Sequence, residues 1–380
     1  MVNERDTQYL LLTPGPLSTT RAVREAMMQE YSTWDVDYNS LVQSIRSRLV
    51  RLAVRDDTNL DAHTAVLTPG SGTFAVESVI GSVIPRAGKL LVLNNGAYGA
   101  RITTISRMLG IDTVELGQAE IESTDLGQVE QMLAGDPAIT HVAMVHCETT
   151  TGMLNPAEAV GEIVRRHGRA FILDAMSSFG GIPMSMESTG AHYLVSSANK
   201  CIQGVPGFGF VVADRATLEA TGGWARSHSL DLFDQWREME TKGGKWRFTS
   251  PTHVVSAFAA ALDELEAEGG VTTRHARYVA NQGTMVDGMR ALGFRTLIGD
   301  EVQSPIITSF YYPDTTEFEF QKFYDALKAR GYVIYPGKVS HAQCFRIGSI
   351  GDVHPEDMTE LSGHISEVIE TMGVSLAFVS

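Results

Sequence analysis

The sequence predicts an α/β fold, with a large domain on a mostly parallel sheet flanked by helices and a smaller α+β domain beside it. Three observations carry this reading. Between about residues 60 and 215, short apolar runs alternate with helix-like stretches. Those runs are apolar on both faces, as strands covered by helices on either side must be. After Pro251 a long helical stretch, His253 to Glu268, gives way at Gly269-Gly270 to a C-terminal part with its own rhythm. At 380 residues the chain is long enough for two domains.

Taken in order, the strand candidates of the large domain are Thr64–Leu67, Lys89–Leu93, His141–Val145, Ala170–Leu173 and Tyr193–Val195. Helical candidates lie between them, such as Pro156 to His167, stopped by Gly168. In the C-terminal part, a helix from Thr272 to Leu292 leads into the strand-like run Ile306–Tyr311. A second helix, Glu317 to Arg330, precedes the runs Tyr332–Tyr335 and Cys344–Ile347. The expected division gives residues 20–265 to the large domain and residues 1–19 and 266–380 to the small one.

Hydrophobic residues make up 43% and charged residues 20%, an ordinary globular composition. A net charge of −15 argues against a general nucleic-acid or anionic-membrane binder, yet leaves room for a small anionic substrate held by a few cations. The start, Met1 to Asp6, is polar and no signal-like apolar core follows it. No apolar stretch approaches the ~20 residues of a membrane span. Cys147, Cys201 and Cys344 form no CxxC pair, which reads as a reduced, cytoplasmic chain without a disulfide framework or a metal site.

Chemistry-bearing residues fall at the ends of the apolar runs, where ligands collect in open parallel sheets. Ser71 follows one run, Asn95 another, Glu148 and Thr149 a third, and Asp174 a fourth. Lys200 lies 26 positions after Asp174, alone among small, polar and apolar residues in Val195–Gly204. A lone amine downstream of a buried-looking carboxylate suits pyridoxal 5'-phosphate (PLP): the lysine forms a Schiff base and the aspartate keeps the pyridine nitrogen protonated. The bland alternative is a surface lysine and a turn-capping aspartate.

Ser71-Gly72-Thr73, opening a helix-like run, has the form of a phosphate cup of free N–H groups and hydroxyls, and equally that of an N-capped turn. It is no Walker loop, since no Lys-Ser or Lys-Thr follows at the required spacing. Gly204–Gly209 reads as a close turn around a cofactor. Tyr98, between Gly96 and Gly99, can stack on a flat ring or simply pack. Thr149 and its neighbours offer hydroxyls to a cofactor or substrate, or cap the next helix. Thr249 could reach a phosphate or cap the helix after Pro251. Arg346, in a strand-like apolar run, needs a partner, and its planar fork suits a carboxylate, a phosphonate or a structural ion pair.

Together these residues resemble the class V aminotransferases of PLP fold type I. The resemblance rests on Asp174–Ser178, the Lys200 segment, the Ser71-Gly72-Thr73 cup and Arg346 before Ile347-Gly348. Longer matches at Leu12–Pro16, Thr33–Asp35, His146–Pro156, Asn199–Phe208, Lys245–His253 and Tyr335–Ser340 point to the branch that acts on 2-aminoethylphosphonate and pyruvate. The resemblance implies a homodimer with sites at the subunit interface, forming phosphonoacetaldehyde and L-alanine in phosphonate catabolism. It makes Lys200 the Schiff-base lysine and proton shuttle, Asp174 the partner of the ring nitrogen, and Tyr98 the stacking ring. Ser71, Gly72 and Thr73 become the phosphate cup, and Thr249 reaches the neighbouring subunit's cofactor phosphate. Thr149 and Met176 join the cofactor-binding residues, and Arg346 takes the substrate's anionic end. Arg226 and Arg247 are candidates for a second cation. An alanine–glyoxylate or serine–pyruvate type of the same fold would use the same core residues. A non-catalytic PLP-binding protein could dispense with the lysine, the aspartate or the arginine, and all three are present.

Overall fold

In the computed structural model, which describes residues 7–376, the apolar runs build one seven-stranded sheet. Residues 1–6, read above as a polar start, lie outside the described residues. Across the sheet the strands run in the order His63–Pro69, Phe208–Asp214, Tyr193–Ser197, Ala170–Asp174, Ile139–Val145, Lys89–Asn94 and Asp112–Gly117. The last five are parallel to one another, while Phe208–Asp214 runs antiparallel to both of its neighbours.

Two of these strands were not expected. Asp112–Gly117 is the edge strand, and it mixes charged with apolar residues because only one side of it is covered. Phe208–Asp214 begins inside the glycine-rich stretch that reads as a cofactor turn. Gly209 belongs to the strand, not to a turn around a ligand. A Cβ there would meet the Ala75 Cβ at 2.7 Å, so the missing side chain lets the helix Gly72–Val83 pack directly on the sheet. On that strand's flank, the Phe208 and Phe258 rings meet edge-on at 5.1 Å, anchoring the helix Thr252–Ala267 to the sheet.

The chain breaks after that helix because Gly269 and Gly270 both take left-handed backbone, at φ 104° and 79°. The helix Gly270–Ala291 then leads into a second core of Met285, Met289, Phe310, Phe345, Ile347, Leu361 and Ile365. Leu10 and Leu12 from the other end of the chain join it, through a short parallel pairing of Leu10–Leu11 with Tyr332–Val333. The run expected as one strand over Tyr332–Tyr335 is therefore split. Its second half, Tyr335–Pro336, pairs instead with Cys344–Gly348, which also pairs with Ile307–Tyr311. No helix among the described residues is long and apolar enough to cross a membrane.

Candidate active site

A cavity opens where the parallel strands end, lined by Thr73, Tyr98, Arg101, Asp174, Met176 and Lys200 among others. Asp174 closes its strand and is buried, and its carboxylate accepts the Met176 backbone N–H at 3.0 Å. Burial outweighs that bond and nearby positive charge, so its pKa rises from 3.8 to about 6.

Lys200 follows the end of the neighbouring strand by three residues. Its Nζ donates to the Pro14 carbonyl, and burial lowers its pKa from 10.5 to about 8. The turn that presents it is held by the helix Gly270–Ala291 and the Gly351 segment. Gln203 sits at φ 69°, a costly conformation for a residue with a side chain, while its amide donates to the Tyr278 hydroxyl at 2.7 Å and the Gly351 carbonyl at 2.8 Å. The loop Thr13–Pro16 lies against the lysine from the other side. A Cβ on Gly15 would come within 2.7 Å of the Lys200 Cδ.

Ser71 is the N-cap residue of the helix Gly72–Val83 but its hydroxyl bonds none of the helix N–H groups, so that hydroxyl and the N–H groups of Gly72 and Thr73 can serve an anion. Gly72 lets Met176 lie close, since a Cβ would stand 2.3 Å from the Met176 sulfur and that side chain would have to move. Thr73 accepts a hydrogen bond from Arg101 at 3.0 Å. The Arg101 guanidinium also lies 4.8 Å from the centre of the Tyr98 ring. Sequence reasoning missed Arg101, although it falls three residues after Tyr98, hence on the same helix face.

Tyr98 opens the helix Ala97–Met108. The buried Glu148 carboxylate accepts the Tyr98 N–H at 3.1 Å, closing the positive end of that helix, and takes the Thr150 hydroxyl at 2.7 Å. Burial still pushes the Glu148 carboxyl above its ordinary value. The Thr149 hydroxyl beside it is buried without a hydrogen-bond partner, and the run Glu148–Thr151 caps no helix: the helix Ala157–Arg166 starts from Pro156 without a side-chain cap.

Arg346 arrives from the second core, on the strand Cys344–Gly348, and is 2% exposed. The structural ion pair considered for it is not formed among the described residues. Its Nε donates to the Pro336 carbonyl at 2.9 Å and its Nη1 to the Thr149 carbonyl at 2.7 Å, with the Tyr335 ring 5.0 Å away.

Other candidates lie apart. Thr249 is exposed and does not cap the helix Thr252–Ala267, whose N-cap is Pro251. Arg226 donates to the Gly81 and Ile84 carbonyls, at the far end of the cup's helix and roughly 18 Å along it. Arg247 pairs with Asp234 at 3.2 Å and donates to the His228 carbonyl at 2.7 Å. The three cysteines are free and buried, and burial pushes the Cys147 and Cys201 thiols up to about 12, which makes them poor nucleophiles.

The family model for class V aminotransferases matches residues 9–341. A 2-aminoethylphosphonate–pyruvate transaminase of Vibrio vulnificus (strain CMCP6) is 58% identical over 363 residues, covering 95% of this chain and 98% of that protein. One from Syntrophobacter fumaroxidans is 57% identical over 368 residues, covering 97% and 98%. Among solved structures, ureidoglycine–glyoxylate aminotransferase from Bacillus subtilis superposes with a TM-score of 0.88 at 20% identity, covering 97% of this chain and 95% of that one. Pyridoxamine–pyruvate aminotransferase from Mesorhizobium loti gives 0.86 at 23% identity, covering 97% and 94%. At such identities the superpositions speak for the fold alone.

Proposed function

We infer that this chain, which belongs to the class V aminotransferase family, transfers the amino group of 2-aminoethylphosphonate to pyruvate, yielding phosphonoacetaldehyde and L-alanine. The observation that carries the substrate assignment is identity of 58% and 57%, over nearly full lengths, to relatives of that activity. Arg346 supports it: its buried guanidinium, held against the Thr149 carbonyl, has no carboxylate partner among the described residues and is therefore open to an anionic ligand.

The family's cofactor is PLP, and the residues present fit it. The cavity offers a buried carboxylate for a cationic ring nitrogen, a lysine amine, and an uncapped helix start with hydroxyls for a phosphate. The unpartnered Thr149 hydroxyl supplies a further donor. In this reading Asp174 holds the ring nitrogen, Tyr98 and Met176 bound the ring, and Ser71, Gly72 and Thr73 hold the phosphate, with Arg101 adding charge beside Thr73. When bound, the cofactor supplies an electron sink that stabilises negative charge at the carbon carrying the amino group.

The chain's own residues do the rest. Burial leaves much of Lys200 neutral near pH 8, so its Nζ can accept a proton from that carbon and later return one. The Pro14 carbonyl gives this amine a fixed resting contact. Arg346 orients the anionic end, accepting a phosphonate in one half-reaction and a carboxylate in the other.

The same proposal includes a homodimer in which Thr249 reaches the cofactor phosphate of the other subunit. It is supported by the exposure of large apolar residues, Phe74 next to the cup and Phe248 next to Thr249, together with Trp34. It also keeps residues 20–265 as the large domain and residues 1–19 and 266–380 as the small one. A cytoplasmic enzyme fits the three free thiols. The test compares 2-aminoethylphosphonate and serine as amino donors to pyruvate, and alanine as amino donor to glyoxylate, at matched concentrations. The phosphonate donor is expected to give the highest kcat/KM with pyruvate. Preference for alanine with glyoxylate, or for serine, would replace this reading by the runner-up of the same fold.

A further inference from the structure

The substrate's anionic end poses a problem that Arg346 alone does not solve. A guanidinium has five N–H groups. Here Nε is spent on the Pro336 carbonyl and one Nη1 hydrogen on the Thr149 carbonyl. Three donors remain, enough for a carboxylate with two oxygens and one negative charge. A phosphonate has three oxygens and carries up to two charges, so it calls for a second cation.

The candidate cations can be told apart by what they already hold. Arg101 is engaged at the cup through Thr73. Arg226 is occupied by main-chain carbonyls, and Arg247 by Asp234 and a main-chain carbonyl. Lys338 is different. Its Nζ stands 5.5 Å from the centre of the Tyr98 ring, which lines the cavity, and it forms no ion pair among the described residues. It lies on the connection between Pro336, which carries one of the carbonyls holding Arg346, and Cys344, where the Arg346 strand begins. That connection is fastened at one point: the Ser340 N–H and hydroxyl both donate to the Glu120 carboxylate at 2.8 Å. Glu120 belongs to the segment after the sheet's edge strand, so the clasp joins the two cores.

We propose that Lys338 is the second cation of the substrate end, a specificity-determining residue that contacts a phosphonate oxygen, and that the Ser340–Glu120 clasp holds it over the cavity. The proposal rests on the substrate reading given above. It makes the two half-reactions unequal in their need for Lys338: the phosphonate needs it, and the carboxylate is served by Arg346.

The test uses the holoenzyme and follows each half-reaction in single turnover, 2-aminoethylphosphonate with the pyridoxal form and pyruvate with the pyridoxamine form. Lys338→Met is expected to lower kcat/KM for the phosphonate about 10- to 100-fold, the scale of one charge-assisted hydrogen bond, and to change the pyruvate value less than about 3-fold. Lys338→Arg should restore most of the loss. Glu120→Gln should give a smaller loss in the same direction. Equal losses in both half-reactions, or no loss in either, overturn the proposal while leaving the substrate reading intact. A loss in Lys338→Met with none in Glu120→Gln overturns the clasp. A wild type that does not process 2-aminoethylphosphonate overturns the substrate reading itself, and this proposal with it.

Discussion

The floor and the rim of the cavity are built on opposite principles. On the floor, Asp174 and Lys200 stand at the ends of buried parallel strands, where burial moves one pKa up to about 6 and the other down to about 8. On the rim, Arg346 belongs to an antiparallel strand of the second core and is held by carbonyls, while Lys338 rides on a connecting loop fastened by one hydroxyl–carboxylate clasp. The floor offers the same groups to every donor. In the proposed function, the rim is where a phosphonate is told from a carboxylate.

The largest expected effect breaks the floor. Lys200→Ala should abolish turnover with every donor, by more than ~10⁴-fold, and should change the visible absorbance of the bound cofactor. Normal turnover in that variant would remove the basis of the whole assignment. Next comes the rim: Arg346→Ala should raise KM for both 2-aminoethylphosphonate and pyruvate, by about 10²-fold or more, as a charged bidentate contact disappears. A loss confined to pyruvate would mean that the phosphonate is anchored without Arg346, and the division of labour would need redrawing.

The smallest effect sharpens the contrast through stability. In the cofactor-free protein the folded state favours neutral Asp174, because burial raises its pKa from 3.8 to about 6. Stability linked to this group is therefore fully present below about pH 4 and lost as pH rises through 6. At pH 8 the ionised carboxylate costs on the order of 2–3 kcal/mol. Asp174→Asn should thus raise the cofactor-free melting temperature at pH 8, with the gain fading below pH 4. An equal gain at all pH values would mean that packing, not charge, sets the difference.

Much of the floor was legible in the sequence because its residues interrupt or end apolar runs. The sequence alone places Asp174, Lys200, Tyr98 and Ser71 each at or just after a strand end. Five of the sheet's seven strands were legible for the same reason. The edge strand Asp112–Gly117 was not, since half-covered strands mix charge with apolar residues, and Phe208–Asp214 hid behind the glycines before it. The rim was harder to read. Arg346 stood out as a cation in an apolar run, but Lys338 sits in a loop without periodicity, and its place over Tyr98 depends on a contact between two cores. Glu148 was noticed at a strand end, yet its role at the start of the Tyr98 helix needed the fold, as did the approach of Pro14 and Gly15 to Lys200.

The most direct measurement of the central claim is a titration of the holoenzyme followed by its visible absorbance. The account expects 2-aminoethylphosphonate to remove the absorbance of the pyridoxal form, and pyruvate to restore it with one alanine formed per site. Loss of absorbance with serine or alanine but not with 2-aminoethylphosphonate would contradict it.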